Sequence, residues 1–177
     1  MYRILLVDDE ENILKALRRT LGRKKNWEIE TYTRAEEALR RTRVMNFELV
    51  LTDYRMPVMD GVQFLSQVKQ LQPEAMRLII SGYTDLEALL GAINEASIYR
   101  FISKPWSDYD LVTTLEQALS YRDTLVENRR LADRVREQRQ QLDRQQTALE
   151  ELEAKYPGIT KVDWEPDGSF YLDENKV

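Results

Sequence analysis

Five side chains in this sequence have the types and positions to do chemistry together: Asp8, Asp9, Asp53, Ser81 and Lys104. Each stands where a short apolar run stops. Tyr2–Val7 runs into Asp8-Asp9-Glu10, Glu48–Thr52 into Asp53, Arg77–Ser81 ends at Ser81-Gly82, and Tyr99–Ile102 leads into Ser103-Lys104-Pro105. If the runs are parallel strands, these ends open on one edge and the three carboxylates crowd one cleft. Carboxylates so placed repel and raise one another's pKa. An oxygen-seeking divalent cation relieves that repulsion, and Mg2+ commonly binds through one or two carboxylates with phosphate oxygens and water. Lys104 adds a point charge suited to a phosphoryl oxygen, and Ser81 adds a hydroxyl donor. Together they describe transfer of a phosphoryl group onto an aspartate.

Taken singly, each residue has a plainer use. Paired acids after a strand can cap the next helix, Ser81 can be a turn residue, and Lys104-Pro105 can punctuate the chain. Their recurrence at four strand ends is what favours chemistry.

The elements that must position them follow from periodicity. Apolar runs at Tyr2–Val7, Glu28–Tyr32, Glu48–Thr52, Arg77–Ser81 and Tyr99–Ile102 predict five strands. Between them lie amphipathic stretches, with Leu14, Leu17 and Leu21 on one face of the first and Leu86, Leu89, Leu90 and Ile93 on one face of the fourth. Thr33-x-x-Glu36 and Thr84-x-x-Glu87 read as capping boxes, and Ser107-x-x-Asp110 as a looser relative. Five strands alternating with five helices predict an α/β doubly wound parallel sheet. Such sheets bind ligands outside the carboxyl ends of their strands.

Composition narrows the function. The chain has 177 residues, 42% hydrophobic and 32% charged, with a net charge of −5 and neither histidine nor cysteine. Length suits one domain plus a smaller element. Without cysteine there is no disulfide framework and no thiolate metal site. Without histidine, the usual general base and most zinc or non-haem iron sites are excluded. The acidic balance gives no reason to expect nucleic-acid binding. No run approaches the roughly 20 apolar residues of a membrane span, and the apolar run after Met1 is too short for a signal peptide. A cytoplasmic protein is expected.

Residues 120–155 have a different character, with neither glycine nor proline and abundant Arg, Gln and Glu. A heptad register places Tyr121, Asn128, Val135, Leu142 and Leu149 at one seam position, and Thr124, Leu131, Gln138, Gln145 and Leu152 at the other. Half of these are polar, so the stretch reads as a sparse coiled coil or as a single solvated helix. Pairing is favoured by length, because an isolated polar helix is marginal in water. In a parallel pair Arg134 and Arg139 would oppose each other. Residues 156–177 form a short tail in which Pro166-Asp-Gly168 would turn between two strands. A lone hairpin is marginal, and an unstructured tail fits equally.

At this point the sequence resembles a known family. The segments LLVDDE (5–10), LTDYRMPVMDG (51–61), LIISGYTD (78–85) and YRFISKPW (99–106) are similar to the receiver domain of bacterial two-component response regulators, over residues 1–122. The resemblance implies a flavodoxin-like fold with strand order 2-1-3-4-5. It implies that Asp53 is the phosphoacceptor, fed by a sensor histidine kinase or phosphotransfer protein. It implies Mg2+ (or Mn2+) held by Asp8, Asp9, Asp53 and the backbone carbonyl of Arg55, with Asp9 a direct ligand. Ser81 and Lys104 would bind the phosphoryl group, with a cis peptide bond before Pro105. Phe101 would be the aromatic switch, filling space that Ser81 vacates. Arg55 and Tyr83 would tune the lifetime of the phosphoryl group, and their bulk favours a long one. A homodimer is expected through the face of the fourth helix, fifth strand and fifth helix, through the coil, or both.

Several outputs are excluded. A metal-dependent HD-type phosphodiesterase needs histidines, and no G-x-x-x-x-G-K-[ST] loop is present. Residues 123–177 are too short and polar for a helix-turn-helix domain plus linker. A haloacid-dehalogenase-type phosphatase wants a second Asp where Arg55 stands. The expectation is a phosphoacceptor with self-phosphorylation and self-dephosphorylation chemistry rather than an enzyme. Its output would be the helix and tail. Alternatives are the regulatory piece of a longer protein, a cyclic-dinucleotide enzyme or a transcriptional regulator, or a structural coiled-coil adaptor.

Overall fold

A computed structural model describes residues 1–82 and 96–158. The element order is β1 (Tyr2–Val7), α1 (Glu11–Leu21), β2 (Trp27–Tyr32), α2 (Ala35–Thr42), β3 (Leu49–Asp53), α3 (Gly61–Leu71), β4 (Met76–Gly82), β5 (Arg100–Lys104) and the long α4 (Asp108–Lys155). The expected fourth amphipathic stretch with its Thr84 box, Tyr83 and the tail hairpin lie outside the described residues. Contacts divide the chain into two units, Met1–Glu127 and Asn128–Val177.

All five strands are parallel, in the order β2-β1-β3-β4-β5, as expected. Side chains alternate across the sheet, which splits the core into two layers. Ile4, Leu6, Leu49, Leu51, Leu78 and Ile80 pack beneath α1 and α4 with Leu14, Leu17, Leu111 and Leu115. Leu5, Val7, Val50 and Ile79 face α2 and α3 with Leu39, Phe64 and Leu65. Because both faces are covered, the central strands read as continuous apolar runs. Each fully buried Leu or Ile contributes about 1.5–3 kcal/mol.

Two helix starts correct the sequence reading. Thr33 does not cap α2; Arg34 occupies the cap position with no side-chain cap bond, so the helix begins one residue later than the proposed box requires. The full capping box belongs to α3, where Gln63 N donates to Asp60 Oδ1 at 2.8 Å and Asp60 N donates to Gln63 Oε1 at 3.3 Å. The weaker Ser107 relative is present, with Asp110 N donating to Ser107 Oγ at 3.4 Å.

Two buried polar side chains brace the sheet away from the strand tips. Gln72 accepts from Phe47 N and donates to the carbonyls of Thr42 and Met45, tying α2, α3 and the approach to β3. Arg77, on β4, donates to the carbonyls of Ala75 and Ala96 at 2.6 and 2.9 Å. Burial lowers its pKa.

Candidate functional site

The carboxyl ends of β1, β3, β4 and β5 bring Asp8, Asp53, Ser81 and Lys104 to one edge. Asp53 is the last residue of β3, Ser81 is the penultimate residue of β4, Lys104 is the last of β5, and Asp8 directly follows β1. Asp8, Asp53 and Ser81 are buried. Lys104 Nζ bridges the acids, 2.8 Å from Asp8 Oδ2 and 2.6 Å from Asp53 Oδ1.

Backbone amides occupy the other carboxylate oxygens. Glu10 N donates to Asp8 Oδ1 at 2.9 Å, and Arg55 N donates to Asp53 Oδ2 at 2.6 Å. Both acids are thus oriented by their own following turns, roles for Glu10 and Arg55 that side-chain reasoning overlooked. The loop after Asp53 is held tightly. A Cβ at Gly61 would collide with the Asp53 carbonyl oxygen, so only glycine allows α3 to start against the end of β3. Gly61 N donates to the Tyr54 carbonyl at 2.9 Å. Between them Val58 adopts φ 71, with Met59 N donating to Pro57 O at 2.8 Å. This is a tight three-residue turn that β-branched residues rarely enter.

The charges at this edge do not balance symmetrically. Burial pushes the Asp8 carboxyl above the usual carboxylate range, although the hydrogen bonds from Lys104 and from the Glu10 amide oppose that rise. Burial alone would lower the Lys104 ammonium, but its hydrogen bonds to Asp53 and Asp8 outweigh this and hold its pKa above normal. One cation gains from two acids, and the burial of Asp8 works against its charged form.

The other expected residues are placed as follows. Asp9 is exposed beside the bridge, and Arg55 is exposed. Phe101 is half-buried against the core layer under α2 and α3. The Lys104–Pro105 peptide is cis, as the resemblance implies. Asn128, Leu131, Val135, Leu142, Leu149 and Leu152 are all exposed along α4.

The sequence reading crowded Asp8, Asp9 and Asp53 together around a cation. Among the described residues no three such side chains are gathered as a ligand set. Lys104 takes the bridging position and Asp9 is exposed. The donors at the edge nevertheless suit the Mg2+ that the resemblance implies. They are hard oxygens without histidine or thiolate, and two buried carboxylates share one ammonium.

Comparison with known proteins gives this geometry a family. Residues 4–116 match the response regulator receiver domain. The hydrogenase transcriptional regulatory protein HoxA of Cupriavidus necator is 41% identical over 116 residues, covering 66% of this chain and 24% of that protein. The chain therefore spans about a quarter of the length of this curated relative. Among solved structures, a protein from Neptuniibacter caesariensis described as uncharacterized is 39% identical with a TM-score of 0.68, covering 72% of this chain and 93% of that one. The signal receiver domain of an HD domain-containing protein from Pseudomonas fluorescens Pf-5 is 35% identical with a TM-score of 0.67, covering 71% and 92%. Sheet order, buried acid pair, bridging lysine and matched span agree: the chain belongs to the response regulator receiver domain family.

Proposed function

We propose that this protein accepts a phosphoryl group on Asp53 from a phosphohistidine of a sensor kinase or phosphotransfer protein. The observation that carries the reading is the Lys104 bridge to Asp8 and Asp53 at the carboxyl edge of the sheet. Receiver domains are typically phosphoacceptors rather than catalytic enzymes, they generally bind Mg2+, and the family implies a cognate histidine kinase.

In the transfer, an Asp53 carboxylate oxygen forms a bond to phosphorus as the donor's N–P bond breaks. The donor's imidazole leaves and is reprotonated from solvent. Because Arg55 N binds Oδ2, the carboxylate is oriented with Oδ1 toward Lys104. Lys104 then exchanges its bond to Oδ1 for one to a phosphoryl oxygen, and the Ser81 hydroxyl donates to another. Asp8, Asp9, Asp53 and the Arg55 carbonyl would hold Mg2+ (or Mn2+). When bound, that ion neutralises charge on the transferring oxygens. Arg55 and Tyr83 tune the lifetime of the group, their bulk screening it from water and slowing its hydrolysis.

Phe101 turns inward when Ser81 moves toward the phosphoryl group, and α4 carries the change to its extension. The exposed seam of α4 pairs with a second copy of the chain. In a parallel pair each polar seam residue meets its own kind, among them Asn128 on Asn128, Gln138 on Gln138 and Gln145 on Gln145, while Leu131, Val135, Leu142, Leu149 and Leu152 form apolar layers. The domain limits are 1–122 for the receiver, 120–155 for the coil and 156–177 for the tail. Among the described residues no helix is long and apolar enough to cross a membrane, and the kinase reaction places the protein in the cytoplasm. A second reading is favoured by the short share of HoxA that is matched: the receiver would be the regulatory part of a longer output protein.

Acetyl phosphate with Mg2+ tests the core of the reading. The intact mass should rise by one phosphoryl group in the wild type and not in Asp53→Asn. Labelling that survives Asp53→Asn would overturn the assignment.

A further inference from the structure

Along α4, full burial stops at Leu119. Just beyond, the helix is held by aromatic and polar contacts. The Tyr121 ring stacks on Tyr99 with centroids 5.5 Å apart and planes inclined by 27°. Tyr2 Oη donates to Asp123 Oδ2 at 2.5 Å. The Arg100 guanidinium lies 5.8 Å from the centroid of the Tyr99 ring, and its Nη1 donates to Gln117 Oε1 at 3.0 Å.

Tyr99 is fixed by the sheet, because its N–H donates to the Arg77 carbonyl at 2.8 Å. It packs with the core layer shared by α1 and α4. Phe101, two residues on, packs in the opposite layer beneath α2 and α3. Phe101 lies on β5, which among the described residues is an edge strand with β4 as its single neighbour. A displacement at Phe101 on one face of the sheet is therefore resisted by one ladder before it reaches Tyr99 on the other. Tyr121 is also the first seam position of the heptad register, and it remains 48% exposed.

We propose that Tyr99 and Tyr121 are positioning residues whose stack is the joint between β5 and the extension of α4. The inference rests on the phosphoacceptor reading above. When β5 shifts, the ring held by Tyr99 is re-aimed, and the first layer of the seam is set or released with it. The acid at Asp53 and the pairing of α4 then communicate through one aromatic contact.

The absence of cysteine makes the test clean, since Leu142→Cys introduces the sole thiol in the 177-residue chain. Its disulfide cross-linking rate is measured with and without beryllofluoride and Mg2+. Beryllofluoride should change the rate about 3- to 10-fold, the range that the energy of one aromatic pair can bias. In Tyr99→Leu and in Tyr121→Leu the change should shrink to less than about twofold. In Tyr99→Phe and Tyr121→Phe it should persist, because the rings remain. Asp53 phosphorylation by acetyl phosphate, read by mass, should be unaltered in all four. A full response in both leucine variants overturns the joint while leaving the switch intact. No response in the parent overturns both the joint and the switch reading.

Discussion

Lys104 Nζ lies 2.6 Å from Asp53 Oδ1 although their strands are not neighbours, because β4 runs between β3 and β5. The lysine reaches across a strand to meet the acid, and its reach ends at Asp8, just after β1. Replacing it with Lys104→Met leaves two buried carboxylates without their cation. The expected loss of stability at neutral pH is about 3 kcal/mol, in the range for breaking a buried pair. The loss should shrink toward acid pH, where Asp8 takes up a proton. Urea unfolding at two pH values checks this, and an equal loss at both would count against it.

Asp8 and Glu30 should bend the pH dependence of stability in opposite directions. The folded pKa of Asp8 is raised, foremost by burial, so its contribution is complete below the unfolded value of about 3.9 and fades as pH rises through the folded value. The folded pKa of Glu30 is lowered by its hydrogen bonds from Arg41, with Arg41 Nε and Nη2 at 2.8 and 2.9 Å. Its contribution is present above about 4.3 and lost as pH falls through the folded value. Glu30→Gln should therefore flatten the acid side of the stability profile, and Asp8→Asn should remove the decline on the rising side. Denaturation midpoints across the acid range measure both.

Gln72→Leu keeps the bulk of a buried side chain but strands the Phe47 amide and removes the donor to two carbonyls. Unsatisfied buried groups cost about 1–3 kcal/mol each, so a loss of about 3 kcal/mol is expected. A midpoint shift below a third of that would show that the groups find other partners.

Val58→Gly and Val58→Asn should stabilise the protein by about 1 kcal/mol, the scale of the penalty for a left-handed residue with a Cβ. Val58 is 87% exposed, so little packing is lost. Thermal unfolding reads the gain, and a lower midpoint in both variants would place the strain elsewhere.

The strands and the acids were legible because a doubly covered sheet writes itself as apolar runs. A polar residue at the tip of such a run stands out, as Asp53 does after Leu49–Thr52. The two helix starts were less legible. Thr33-x-x-Glu36 has the residue types of a capping box, yet the chain turns one residue later. Asp60-Gly61 shows no cap by itself, because a close approach to the Asp53 carbonyl leaves no mark except the missing side chain. That Asp8 is buried and Asp9 exposed depends on the turn after β1, and types alone made the two equivalent. Tyr99 with Tyr121, and Tyr2 with Asp123, are pairings across the fold that no local pattern announces.

The bond from Lys104 to Asp8 spans 96 residues of sequence, and it joins the first strand to the last. Contacts so distant in sequence carry a large loop-closure cost and are generally established late in folding. The acids can be oriented by nearby amides earlier, but their shared cation arrives only with β5. A chain still incomplete on the ribosome, or one that has lost its final strand, carries Asp53 without the group that prepares it. Responsiveness is thus acquired at the end of folding, so the population able to receive a signal is the population that has finished its sheet.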